Sequence, residues 1–320
     1  MTDNQRQELE SGSVAREVTP QAAKSSTQEK PNALERLLHK QVRKFSGLLP
    51  GVMGSDDPEV VHDVRVSTRR MQQCLATLLP KPRSNKVRRL RRTVRRVRGL
   101  LGEWRNCDVG LELITKERRR TRSPVKREAW EAVRGFLTQR RGRQVVGARR
   151  KLLKLDLAGF VANLCELLDQ PAGQEDTEAL EARLRASIES AQVQLDSTLS
   201  QARDSRDPIH IHALRISTKR LRYRMELAHH LGDDRARPVI DWLKGLQEAL
   251  GKWHDRQVFR QIVAEALARP DFLLHEPCTA RVLLVELEKD QVRQGQIVDN
   301  IFRLAIEDRV RYPVEDSVPQ

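Results

Sequence analysis

Aromatic residues are scarce: Phe, Trp and Tyr make up 4% of the 320 positions. Surfaces that hold single-stranded nucleic acid stack its bases on aromatic rings, so this composition argues against that use. The four cysteines, Cys74, Cys107, Cys165 and Cys278, lie far apart with no C-x-x-C pair. That spacing fits reduced thiols in a cytoplasmic protein rather than a disulfide framework. No run approaches the roughly 20 apolar residues needed to span a bilayer, and the opening MTDNQRQELESGS lacks the apolar core of a signal peptide. The expectation is a soluble protein with no membrane segment. Segments of alternating β-branched residues are missing, and with them the signal for a sheet. So are a P-loop, a Gly-rich phosphate loop and a nucleophile elbow.

What is abundant is Ala, Leu, Arg, Glu and Gln, which are good helix formers. The fold class expected is all-α. Residues 1–30 are polar, without an apolar stripe, and read as a disordered tail. Breakers then mark off long helices: Asn32 to Leu48, Pro58 to Leu79, Ser84 to Arg120, and Pro124 to Asp169. Gln170-Pro171-Ala172-Gly173 is the clearest internal boundary. Beyond it the rhythm repeats, with helices expected over Glu178–Ala202, Pro208–Leu231, Arg235–Ala268 and Glu276–Asp308, and a tail over 313–320. Four helices followed by four predict two antiparallel four-helix bundles, residues 31–170 and 171–312.

The halves are alike in sequence as well as rhythm. His62-Asp-Val-Arg-Val-Ser-Thr-Arg-Arg-Met matches His212-Ala-Leu-Arg-Ile-Ser-Thr-Lys-Arg-Leu at an offset of 150, and Leu101-Gly-Glu-Trp matches Leu250-Gly-Lys-Trp at an offset of 149. Two matches at nearly one offset identify an internal duplication.

The net charge is +15, which points to a polyanion as partner. Residues 1–170 hold 37 Lys and Arg against 19 Asp and Glu, whereas residues 171–320 hold 22 against 25. Wound at about 100° per residue, the second helix places Val64, Met71 and Leu75 on a core stripe and His62, Arg65 and Arg69 opposite, with Arg70 at the edge. The sixth helix repeats this with Leu214, Leu221 and Met225 against His212, Arg215, Lys219, Arg222 and Tyr223. A solvated face accounts for one such helix; it does not require a His–Arg pair twice. Residues 81–98 carry ten basic residues and no acid, and Arg88, Arg91, Arg95 and Arg98 share one side of the third helix. Like charges stacked at these spacings destabilise an isolated helix, so a bound anion would stabilise this face. Ala132 to Leu155 is also acid-free, with Arg134, Arg141 and Arg149 near one face. Lys244, in the seventh helix, completes the candidate set. Guanidinium forks and ammonium groups suit phosphate oxygens, and with Tyr223 the lone aromatic on a basic face, the array suits phosphate without bases. Trp104 and Trp253 fall on apolar stripes and read as core.

Both H-x-x-R-[VI]-S-T-[RK]-R segments, each followed by L-G-x-W, resemble the CHAD family of histidine-containing α-helical domains, over about residues 31 to 310. The resemblance implies two four-helix bundles related by pseudo-twofold symmetry around a basic channel that binds inorganic polyphosphate, and association with polyphosphate granules. His62, Arg65, Arg69 and Arg70 match the first motif; His212, Arg215, Lys219, Arg220 and Arg222 match the second. Gln72 stands opposite Arg222, a departure. Arg105 and Asp108 match a further R-D-x-D pattern, with Asn106 replacing its first acid, and read as a structural ion pair, with contact to the channel as the second reading.

Catalysis finds little support. The dipeptides His62-Asp63 and His254-Asp255 diverge by about 100° on a helix, and His210 and His212 make a poor zinc pair. Glu286-Leu-Glu288-Lys-Asp290 has Asp where a triphosphate hydrolase needs Lys, and Asp63 and Glu226 are too few to hold magnesium. The expectation is a non-catalytic polyphosphate-binding protein with no metal or cofactor. The competing class is a basic nucleic-acid-binding protein.

Overall fold

A side-chain cap followed by proline sets the start of several helices, because the first helical N–H groups have no partner within the helix. The structure, a computed structural model, describes residues 33–79, 84–169, 177–270, 272 and 277–313. The expected tail 1–30, the boundary at Gln170–Gly173 and nearly all of the expected tail 313–320 lie outside them. The elements are α1 (Ala33–Gly54), α2 (Pro58–Leu78), α3 (Asn85–Leu100), α4 (Gly102–Arg120), α5 (Pro124–Leu153), α6 (Leu157–Asp169), α7 (Thr177–Ser205), α8 (Pro208–His230), α9 (Ala236–Leu267) and α10 (Pro277–Ile306). Among the described residues there is no strand, and no helix is long and apolar enough to cross a membrane.

The caps of α2 and α8 are the same device. Asp57 Oδ1 accepts from Glu59 N at 2.9 Å, and Asp207 Oδ1 from Ile209 N at 2.6 Å. Pro58 and Pro208 follow at the first helical position. Ser55 and Ser205 hydroxyls in turn accept from the backbone N–H of these two aspartates.

Three expected boundaries are corrected. The first helix does not end at Leu48 but runs through Pro50 to Gly54. Its last turn is anchored by buried Val52, and Arg149 donates to the carbonyls of Val52 (2.9 Å) and Ser55 (2.8 Å). The helix expected over Ser84–Arg120 breaks at Leu101, between Gly99 and Gly102, each of which costs a helix interior about 1 kcal/mol. The helix expected over Pro124–Asp169 breaks after Leu153. There Asp156 Oδ1 accepts from Gly159 N at 2.8 Å and starts α6; a Cβ at Gly159 would collide with that carboxylate.

Apolar side chains gather in two clusters among the described residues, and the clusters do not follow the sequence halves. The larger takes Phe45 of α1, Met71 of α2, Val94 of α3, Trp104 at the start of α4, Leu214 of α8, Trp253 of α9 and Ile301 of α10. The second is built from Ile114 of α4, Trp130 and Leu137 of α5, Phe259 and Val263 of α9, and Leu283 of α10. Both halves therefore contribute to one core, and α4, α5, α9 and α10 each run from one cluster into the other. Both repeated tryptophans are buried core.

Leu137 is fully buried in the second cluster. Leu137→Ala is expected to lower stability by about 2–5 kcal/mol. Because both halves share that core, urea unfolding followed by tryptophan fluorescence and by circular dichroism should give coincident transitions. Two separate transitions would show that the halves unfold independently.

Candidate functional site

The Ser-Thr pair of each repeated motif lies on the buried side of its helix. Ser67 and Thr68 on α2, and Ser217 and Thr218 on α8, are almost wholly buried. Each hydroxyl is satisfied by a carbonyl three or four residues back, at 2.8–2.9 Å, so these small side chains bury no unpaired group. The basic residues between them then share one region where α2 packs against α8.

Arg69 Nη1 donates to the Tyr223 hydroxyl at 2.8 Å, a contact between the two motifs. Arg65 Nη1 donates to the Arg98 carbonyl at 2.6 Å, and Arg98 Nη1 to Gln72 Oε1 at 2.6 Å. Gln72, the departure from the motif, is thus what holds Arg98. The rings of His212 and His254 stand 5.7 Å apart.

The titration behaviour records how closely these cations are held. Burial, followed by the fields of Arg215, Arg69 and Arg222, pushes the Lys219 ammonium down to about 6. Burial and the surrounding arginines bring Arg65 down to about 10. Burial also lowers Arg98 and Arg215. It lowers His62, with Arg105 adding to the effect, and His212, with Arg215 and Lys219 adding. His254 falls to about 3, through burial and then Arg215. Asp255 is the opposing charge: burial pushes its carboxyl up, against the pull of Arg215, Arg105 and Lys219.

Of the candidate residues, His62, Arg65, Arg69, Arg98, His212, Arg215 and Lys219 are brought together, with Tyr223 between them. Three members were not in the predicted set: Arg105, His254 and Asp255. Arg105 does not form the expected ion pair with Asp108, whose Oδ1 is bound by Arg141 Nε at 2.6 Å. The charge of Arg105 reaches Asp108 but acts as well on His62, Arg65 and Asp255. The usable signal was the repeat itself. Arg105 and His254 occupy the same place after L-G-x-W in the two halves.

Other predicted residues hold the protein's own acceptors. Arg141 and Arg149 bind the α1–α2 connection through Asp56, in addition to the contacts above, and both lie over Trp104. Arg91 donates to the carbonyls of Leu75 and Leu79 at the end of α2. Arg88 binds Asn85, and exposed Arg134 binds Glu131. Arg95 and Arg220 are exposed. Arg222 lies over the Tyr223 ring and 3.6 Å from Glu226. Arg70 and Lys244 line a cavity of about 390 Å³ whose wall includes Tyr223. Among the described residues no group of three or more His, Cys, Asp or Glu side chains is placed to hold a metal ion.

The cluster lies where the two hydrophobic cores meet. On α4, Trp104 belongs to one core and Cys107 to the other, with Arg105 between; on α9, His254 and Asp255 separate Trp253 from Phe259. The same level carries Arg141–Asp108 and Arg256–Asp290, the latter at 2.9 Å.

A family model described as the CHAD domain matches residues 36–264. Two solved structures share the fold. One is the CHAD domain from the plant Ricinus communis, with TM-score 0.62, 22% identity, and coverage of 88% of this chain and 92% of that one. The other is PptA from Streptomyces chartreusis, with TM-score 0.63, 19% identity, and coverage of 87% and 100%. No curated protein matches the sequence.

The Lys219 shift has a measurable consequence for stability. Its folded pKa lies far below its ordinary 10.5, so between the two the unfolded chain holds a proton that the folded chain does not. Stability contributed by this group rises with pH through that window. Without added polyanion, Tm should rise from pH 6 to pH 9, and Lys219→Met should raise Tm at pH 6 by a few degrees, at about 2–4 °C per kcal/mol. A Lys219→Met variant with the wild-type pH slope would assign the effect to other groups.

Proposed function

This chain belongs to the CHAD family, and we propose that it binds inorganic polyphosphate without catalysing its turnover, in a basic channel where α2 and α8 meet. The observation that carries the reading is the gathering of Arg65, Arg69, Arg98, Arg215 and Lys219 at the contact of α2 with α8, where Arg69 meets Tyr223 and Arg65 meets Arg98. A linear chain of phosphates supplies the neutralising charge, and guanidinium forks match its oxygens. These cations are partly buried, which favours a slender single chain over a duplex read through wide grooves. Asp108 is engaged by Arg141 and Asp290 by Arg256, and Asp255 lies in the fields of Arg215, Arg105 and Lys219, which favours binding over metal-assisted hydrolysis.

We read residues 31–170 and 171–312 as duplicated four-helix bundles related by a pseudo-twofold axis. In this reading α3 with α4, and α5 with α6, each stand for one ancestral helix. The repeated Ser-x-Asp-Pro caps at 55–58 and 205–208 support it, as do the paired His-Arg faces. The setting that fits is the cytoplasm, at polyphosphate granules.

Titration with long-chain polyphosphate and with DNA of matched charge tests the proposal. Polyphosphate should bind more tightly, with affinity falling steeply as salt rises. Arg65→Ala or Arg215→Ala should each weaken it by about 10- to 100-fold, whereas Arg88→Ala should change it by no more than about twofold. Binding should tighten from pH 8 to pH 6, because bound phosphate favours protonated Lys219 and histidines. Equal affinity for DNA, or equal sensitivity to Arg88→Ala, would transfer the function to the exposed basic surface.

A further inference from the structure

The cavity of about 390 Å³ beside Tyr223 is lined by apolar side chains as well as cations. Its volume is that of a small-molecule site, and it lies among α1, α2, α8 and α9. Leu37, Leu227 and Ile240 give it apolar walls. A polyphosphate presents only oxygens and gains nothing from such walls. Cations share the lining: Lys40 and Arg70 are exposed, and their charges reach His230. Lys244 adds a third, paired with Asp241 at 2.8 Å.

The decisive group is Gln41. It is 2% exposed and lines the cavity, and its Oε1 is buried without a hydrogen-bond partner. A buried acceptor left unmatched is costly, and a ligand donor would relieve that cost. Glu226, also in the wall, is a second acceptor. Phosphate chains at neutral pH offer acceptors and negative charge, so they would leave Gln41 unmatched and be repelled by Glu226. The complementary molecule has an anionic group for Lys40 and Arg70, an apolar body, and an N–H or O–H donor for Gln41.

We infer that this cavity is a second binding site, separate from the channel, for a small organic phosphate of the nucleoside monophosphate class. Tyr223, 5% exposed, is shared between the two: it lines this cavity, while its hydroxyl accepts from Arg69 of the cationic cluster. The assignment takes Arg70 and Lys244 out of the channel, and it does not depend on what the channel binds.

Calorimetric titration of the full chain with AMP, beside separate titrations with adenosine, inorganic phosphate and long-chain polyphosphate, tests this. AMP should bind with Kd of about 1 mM or tighter, and better than either of its parts. Gln41→Met, which removes the acceptor at nearly constant volume, should weaken AMP about tenfold. Lys40→Ala, at an exposed position, should do the same without risk to folding. Both should leave polyphosphate affinity within about twofold. Arg65→Ala should show the reverse pattern. Absence of AMP binding overturns the inference, and so does AMP binding that Arg65→Ala abolishes while Gln41→Met and Lys40→Ala leave it intact. If AMP binds with the expected dependence while polyphosphate does not bind, the cavity assignment stands and the channel reading falls.

Discussion

Arg65, Arg69, Arg98, Arg215 and Lys219 repel one another across the contact between α2 and α8, and the rest of the fold must outweigh that repulsion. The Arg69–Tyr223 hydrogen bond alone is of order 1–3 kcal/mol, too little for the task. The larger opposing contribution comes from the hydrophobic clusters on either side, whose buried side chains contribute about 1.5–3 kcal/mol each. Repulsion is held in place because α4, α5, α9 and α10 each belong to both clusters. These helices cannot move apart at the cationic level without opening a core at one end. The charge is also relieved chemically: burial and the neighbouring arginines bring the Lys219 ammonium far below its ordinary range, so it gives up its proton more readily than a free lysine.

Basic residues in this chain divide into two kinds by what their donors meet. Arg91, Arg141 and Arg149 terminate on carbonyls and carboxylates of the protein and close helix ends and connections. Arg65 and Arg98 make one bond each, while Arg215 and Lys219 have the field of Asp255 as their opposing charge. Net charge by sequence half therefore misleads. The strongly basic first half uses several arginines structurally, whereas the second half, acidic in sum, places Arg215 and Lys219 at the centre.

Much of this was legible in the sequence because local rules govern it. Asp57-Pro58, Ser123-Pro124 and Asp207-Pro208 announce helix starts, and the structure begins α2, α5 and α8 there. The His-Arg faces of α2 and α8 were visible from helical periodicity and from their repetition. What failed depended on partners distant in sequence. Pro50 reads as a terminator, yet Arg149, nearly a hundred residues away, supplies hydrogen bonds to the carbonyls that follow it. Arg134 and Arg141 share a stretch of α5, but Glu131 takes one and Asp108 the other. A helical wheel ranks residues by the face they occupy, not by what that face meets.

The L-G-x-W repeat shows how the two kinds of information combine. Read alone, its tryptophans mark core, and both are buried. In three dimensions the tryptophan is the last residue of its helix in the larger cluster, and the second cluster begins three residues on in α4 and six in α9. The residues that follow the tryptophan, Arg105 in one half and His254 with Asp255 in the other, must therefore lie in the gap between cores. That gap is where a polar side chain costs least to bury and where it meets the motif residues of α2 and α8. The repeat consequently fixes packing and site together: a change of length between tryptophan and the second cluster would rotate Arg105 or His254 by about 100° per residue, out of the cationic group and into one of the cores.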